Sequence, residues 1–262
     1  MIGQLLLLAL SASATSAVTQ PNRTESGFFM QIPSERREQI EAVSPAYGAY
    51  SQRLLLGELW QRPQLSRRDR SIVTVAALIA KNQTRDMRLH FGLALDNGVT
   101  PAELSEIITH LAFYAGWPNA ASAIDIAYDV FHDRRIGQDQ LTPERPTLLR
   151  IDQIAEDARE ARVQESVGPV SPGLVDYTRD TLFHEVWLRP GLAPRDRSLI
   201  TVAALVANGN TGQISGHLTR AMDNGLTRVE AGEILTQVAF YAGWPAAFTA
   251  APAFKAVFDE RK

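Results

Sequence analysis

The chain has 262 residues, 45% of them hydrophobic and 21% charged, which is ordinary globular composition with enough apolar material for a substantial core. A formal net charge of −3, with no basic stretch, argues against nucleic acid as a partner. The absence of cysteine removes disulfides, thiolate nucleophiles and thiolate metal sites.

In chain order, residues 1–17 read MIGQLLLLALSASATSA, a short apolar run followed by small residues. This pattern predicts a secretory signal peptide, cleaved after Ala14 or Ala17, and a periplasmic or secreted protein, with a cytoplasmic one as the alternative. The run is too short to span a bilayer, and no later segment is long and apolar enough to do so. An extension over 18–43 follows, with an opening helix expected at Ser34 to Val43.

Residues 44–131 form a unit that recurs at 171–258 without a gap, with about half the aligned positions identical. Trp60 pairs with Trp187, Arg68-Asp69-Arg70-Ser71 with Arg195-Asp196-Arg197-Ser198, and His90 with His217. Ala112 to Pro118 (AFYAGWP) matches Ala239 to Pro245 unchanged.

Within the unit, Ser44-Pro45 is expected to open a helix that runs through Trp60 and stops before Pro63. Ser66 should cap a nearly all-apolar central helix from Arg68 to about Asn82. Thr84 should cap a third helix carrying His90 and ending at Asn97-Gly98. Thr100 and Glu103 read as a capping box for a fourth helix, broken at Gly116-Trp117-Pro118 before the last helix, Ala120 to Phe131. Residues 132–170 read as a charged linker, with an amphipathic helix at Ile151 to Val163. With no credible strand, the expectation is an all-α chain of two tandem helical-bundle repeats.

The pattern Arg-Asp-Arg-Ser, His-x3-Ala-x-Asp-Asn-Gly-x-Thr, Glu-x2-Glu-Ile and AFYAGWP, seen twice, resembles the carboxymuconolactone decarboxylase family. The resemblance covers most of the chain beyond Ser44. It implies repeats paired as a pseudo-dimer, a homo-oligomer (a trimer of tandem chains), and a small carboxylic acid or lactone as substrate of a decarboxylase; a non-catalytic exported oligomeric binding protein, or an isomerase or lactone hydrolase on the same fold, are the alternative readings. Thiol peroxidases of the same superfamily place cysteines where this chain has Gln83 and Asp86, so that chemistry is excluded here.

Decarboxylation of such an acid needs a carboxylate-positioning group and a proton donor, and no cofactor, because the conjugated lactone accepts the electrons. His90 and His217 are the candidate acids, being histidines at matched positions. His110 is a third; Gln237 stands at its place in the second repeat, so a role for it would make one half active. Arg70 and Arg197 are candidate carboxylate binders, although a structural ion pair at a helix start is a competing reading. Tyr114, Trp117, Tyr241 and Trp244 are candidate pocket walls, with Trp60 and Trp187 a second pair; core packing competes for these aromatics. Glu103, Glu106, Glu230 and Glu233 read as capping or helix-surface residues. No metal-ligand spacing and no phosphate-binding loop occurs.

Overall fold

The computed structural model describes residues 34–261; the signal-peptide expectation for residues 1–17 lies outside them. Among the described residues there are twelve α-helices and no strand. After the opening helix α1 (Ser34–Val43), the first repeat comprises α2 (Pro45–Tyr50), α3 (Arg67–Ala80), α4 (Thr84–Asp96), α5 (Pro101–Ala115) and α6 (Trp117–Asp133). The linker carries α7 (Gln153–Val167), and the second repeat α8 (Pro172–Tyr177), α9 (Pro194–Asn208), α10 (Ile214–Asp223), α11 (Arg228–Ala242) and α12 (Trp244–Glu260).

The capping chemistry largely does what the sequence says. Ser66 Oγ accepts from the Asp69 amide (3.0 Å), and both capping boxes close, Thr100 N donating to Glu103 Oε2 (2.8 Å) and Thr227 N to Glu230 Oε2 (2.7 Å). Gly116 and Gly243 both have φ of +94°, a conformation costly for any residue with a Cβ, and this lets each chain leave one helix and start the next at once.

Three expectations are corrected. The helix opened by Ser44-Pro45 does not reach Trp60: it widens into a π-helical turn at Ser51–Leu56, breaks at Gly57 and resumes as a 3-10 turn, Leu59–Gln61. The second repeat repeats this at Thr178–Phe183 and Val186–Leu188. Thr84 is the first residue of α4 and not its cap, which is Gln83 without a side-chain bond. Finally, α6 starts at Trp117, not Ala120, because Gly116 alone makes the turn.

The two repeats share one core. The central helices α3 and α9 are buried on almost every side and pack on each other, surrounded by α4, α5, α10 and α11. The Arg-Asp-Arg-Ser motifs join them. Arg68 Nη1 pairs with Asp196 (2.8 Å), and Arg195 reciprocally with Asp69 (3.1 Å). Residue i contacting j while the repeat partner of j contacts that of i is the pattern of a two-fold dimer contact, here made within one chain.

Candidate functional site

Two equivalent constellations lie at the repeat interface, each drawing residues from both repeats. In the first, His90 on α4 meets Tyr241 of α11 edge-on (ring centroids 5.1 Å), and Trp60 backs it in a parallel arrangement (6.3 Å). Trp60 Nε1 donates to Tyr241 Oη (3.0 Å). In the second, His217 on α10 meets Tyr114 of α5 (5.3 Å), Trp187 backs it (6.1 Å), and Trp187 Nε1 donates to Tyr114 Oη (3.0 Å). His90, His217, Trp60, Trp187, Tyr114 and Tyr241 are thus brought together, three to each half.

The first constellation opens on a cavity of about 640 Å³. His90 and Tyr241 stand in its wall with Leu78, Leu89 and Phe240, and Asp86 and Gln83 also line it. Arg36, Arg37 and Arg85 bring positive charge and Glu41 negative charge to the same walls. That volume suits a small organic ligand, and the mixture of apolar wall with a few convergent polar groups is the usual make-up of a ligand site.

Burial controls the imidazoles. It pushes His90 down to about 4, and burial together with the nearby Arg220 guanidinium pushes His217 down to about 4. Both rings are therefore neutral at neutral pH. The same burial raises the Tyr241 and Tyr114 phenols, which stay protonated.

The depressed histidines set an acid limit on stability. Below pH 6.5 the unfolded chain takes up protons that the folded chain refuses until about pH 4, so stability present above pH 6.5 is lost as the pH falls towards 4. Each of the two shifts is worth on the order of 3 kcal/mol. Urea unfolding at pH 7 and pH 4.5 should show the loss, and His90→Gln should remove a share of it; an unchanged pH slope in that variant would contradict the burial of His90.

Arg70 and Arg197 are not substrate binders. Both are fully buried and already engaged: Arg70 donates to Glu233 (2.8 Å), to Gln237 Oε1 (2.9 Å) and to the Arg62 carbonyl (2.6 Å). Arg197 donates to Glu106 (3.0 Å) and the Arg189 carbonyl (2.8 Å). Glu106 and Glu233 are correspondingly interior residues and not helix-surface ones, each held by a second arginine, Arg189 and Arg62. Their presence at matched positions in both repeats was the sequence signal for this role.

His110 is likewise structural. Thr201 Oγ1 donates to the Arg197 carbonyl (2.8 Å), so it accepts from His110 Nε2 (2.7 Å), leaving Nδ1 to face Arg197 Nη1 (3.5 Å). Gln237 does the same work, its Oε1 accepting from Arg70 and its Nε2 donating to Thr74 Oγ1 (3.0 Å). His110→Gln should therefore leave the unfolding temperature within about 3 °C of the parent, since glutamine already makes the equivalent bonds at the matched buried position of the second repeat; a fall beyond about 10 °C in thermal melts would show that the ring is needed.

Trp117 and Trp244 do not join the histidines. They are 63% and 52% exposed on the outer face, because each follows a positive-φ glycine and begins a helix pointing outward. They rest on Phe113 and Phe240 (4.9 Å each), and Trp244 borders a shallow apolar hollow of about 280 Å³ with Phe248.

A profile of the family described as "Carboxymuconolactone decarboxylase family" matches residues 45–129 and again 172–256. The chain belongs to that family. Two curated relatives extend the comparison. The 4-carboxymuconolactone decarboxylase of Acinetobacter baylyi is 36% identical over 104 residues, covering 40% of this chain and 78% of the relative. The nitrosuccinic acid decarboxylase of Metarhizium robertsii is 35% identical over 77 residues, covering 29% of this chain and 54% of the relative. Two decarboxylase names among the relatives support a decarboxylase-like, lyase-class function at the level of the family.

Against that family background, the residues that sequence reasoning missed lie outside the two shared units or differ between them. Arg36, Arg37 and Glu41 belong to the opening helix, and Arg159 and Glu156 to the linker helix, both read as connectors. Arg220 lies three residues after His217, on the same helix face, and aligns with Leu93; that mismatch was the available signal.

Proposed function

We propose that this carboxymuconolactone decarboxylase family member is a cofactor-free decarboxylase for a small unsaturated or cyclic carboxylic acid, with His90 handling the proton. The observation that carries the reading is the placement of His90: a buried imidazole between Trp60 and Tyr241, in the wall of a roughly 640 Å³ cavity that also carries three arginines.

The chemistry balances without a further reagent. The C–CO₂ bond breaks, its electron pair passes into the conjugated system of the substrate, CO₂ leaves, and the carbon takes one proton from imidazolium. The neutral ring must therefore gain a proton before the step. A substrate carboxylate entering the cavity supplies the reason, because an anion beside a buried imidazole raises its pKa. Arg36, Arg37 and Arg85 would draw the acid in and orient it, while the apolar wall excludes water around the developing carbanion.

The test is incubation of the purified protein with γ-carboxymuconolactone and with a panel of small unsaturated acids, following CO₂ release. Release on at least one acid, lost on replacing His90, supports the reading. No release on any of them defeats it.

A further inference from the structure

Each repeat turns outward a helix stripe that its own packing does not use. On α6, Trp117, Ala121, Ile124 and Tyr128 follow one another at steps of four, three and four residues, so they line one face. Trp244, Phe248, Ala251 and Lys255 are their counterparts on α12. A different face of each helix packs into the core, through Ala123, Ala127 and Val130 in α6 and Ala250, Phe254 and Val257 in α12. On the outer stripes the large side chains stay in solvent: Ile124, Tyr128 and Phe248 are 57%, 71% and 72% exposed, beside the two exposed tryptophans. Large apolar side chains gathered on one exposed face mark a contact surface, unlike hydrophobes scattered singly.

The two stripes differ in a complementary way. Large and small residues exchange places, Ala121 matching Phe248 and Ile124 matching Ala251. On α12 the small residue borders the hollow of about 280 Å³, together with Trp244 and Phe248. On α6 the same place carries the protruding Ile124. Charge is divided as well. Asp125 and Asp129 flank the α6 stripe, whereas Pro252 and Ala256 stand at those positions on α12, and Lys255 replaces Tyr128. Two α6 stripes brought together would add acid to acid, and two α12 stripes lysine to lysine. One of each brings Ile124 to the hollow and Lys255 to the carboxylates. The partners that Asp129 and Lys255 have within the chain, Arg88 and Asp259, are themselves exposed, so exchanging them costs little.

We propose that these outer stripes are the surface through which copies of this chain bind one another, α6 of one copy lying on α12 of the next. Unlike faces meet, so the contact is head-to-tail, in contrast to the two-fold contact between the repeats inside each chain. Phe240, on which Trp244 rests, also lines the His90 cavity, so the covered hollow lies directly behind a wall of that cavity.

Analytical ultracentrifugation of the full chain across the micromolar range should give a mass above that of one chain. Ile124→Glu spoils the α6 stripe and Phe248→Glu the α12 stripe. Each variant alone should associate roughly 30-fold or more weakly, the usual effect of losing a central interface anchor. Mixed in equal amounts, the two should form a one-to-one pair and grow no further, because one variant keeps an intact α12 stripe and the other an intact α6 stripe. Both substituted side chains are exposed, so both variants should fold. If circular dichroism shows otherwise, Tyr128→Glu and Trp244→Glu replace them, since those side chains are exposed on the same stripes. A parent chain that is monomeric throughout the micromolar range would overturn the proposal. So would a single variant that keeps the parent's mass, or a mixture that fails to pair. Decarboxylation plays no part in this readout, so it stands or falls apart from the role of His90.

Discussion

Replacing Glu233 with leucine is expected to lower the unfolding free energy by about 3–5 kcal/mol, the usual cost of stripping one partner from a buried ion pair. Glu233 is 3% exposed and is shared by Arg62 and Arg70. Loss of the carboxylate affects the two arginines differently. Arg62 is 43% exposed and can turn to water, whereas Arg70 is fully buried and would keep only Gln237 and a carbonyl as acceptors for its charge. The penalty therefore comes from Arg70, and a second change that removes it should recover most of the loss: Arg70→Met combined with Glu233→Leu replaces the pair with apolar volume. For a chain of this size the single variant should melt roughly ten degrees lower than the parent. A loss under about 1 kcal/mol by urea unfolding, or a double variant no better than the single one, would mean that the two repeats are not held by this pair.

That pair also illustrates what the sequence can and cannot tell. Helix starts and stops are written locally, which is why Ser66, Thr100, Gly98 and Gly116 are legible without coordinates: each satisfies or ends a backbone pattern within four residues of itself. The π-helical turn before Trp60 is not, because its widening depends on how Trp60 must pack against His90 and Tyr241 from elsewhere in the chain. The duplication supplied one long-range fact, that residues at matched positions have matched surroundings, and so nominated His90 and His217 together. It could not say that Glu106 reaches Arg197 or that His110 replaces Gln237 in a buried network, since those are contacts across the two repeats. Nor could it separate the two constellations. Their difference rests on α1 and α7, which lie outside the repeated units, and on single exchanges such as Leu93 for Arg220, whose meaning depends on what stands opposite.

His90→Gln should reduce turnover of whatever acid the parent decarboxylates by about 10²- to 10⁴-fold, the range for removing a positioned proton donor. The Michaelis constant should change little, because binding is assigned to the arginines of the cavity and to its apolar wall. The pH dependence gives a sharper test than the loss alone. The free enzyme holds its imidazole at about 4, and the step consumes the imidazolium proton, so kcat/KM should fall tenfold per pH unit from about pH 4 towards neutrality. In the variant that slope should vanish from the residual activity. A profile flat between pH 5 and pH 8 would assign the proton to another donor. Tyr241 is the nearest alternative, since burial keeps its phenol protonated throughout that range and its ring lies 5.1 Å from His90. Tyr241→Phe separates the two. If His90 is the acid, removing the hydroxyl costs its hydrogen bonds with Trp60 and Thr74 and leaves the slope in place; if Tyr241 is the acid, turnover is lost and His90→Gln retains it.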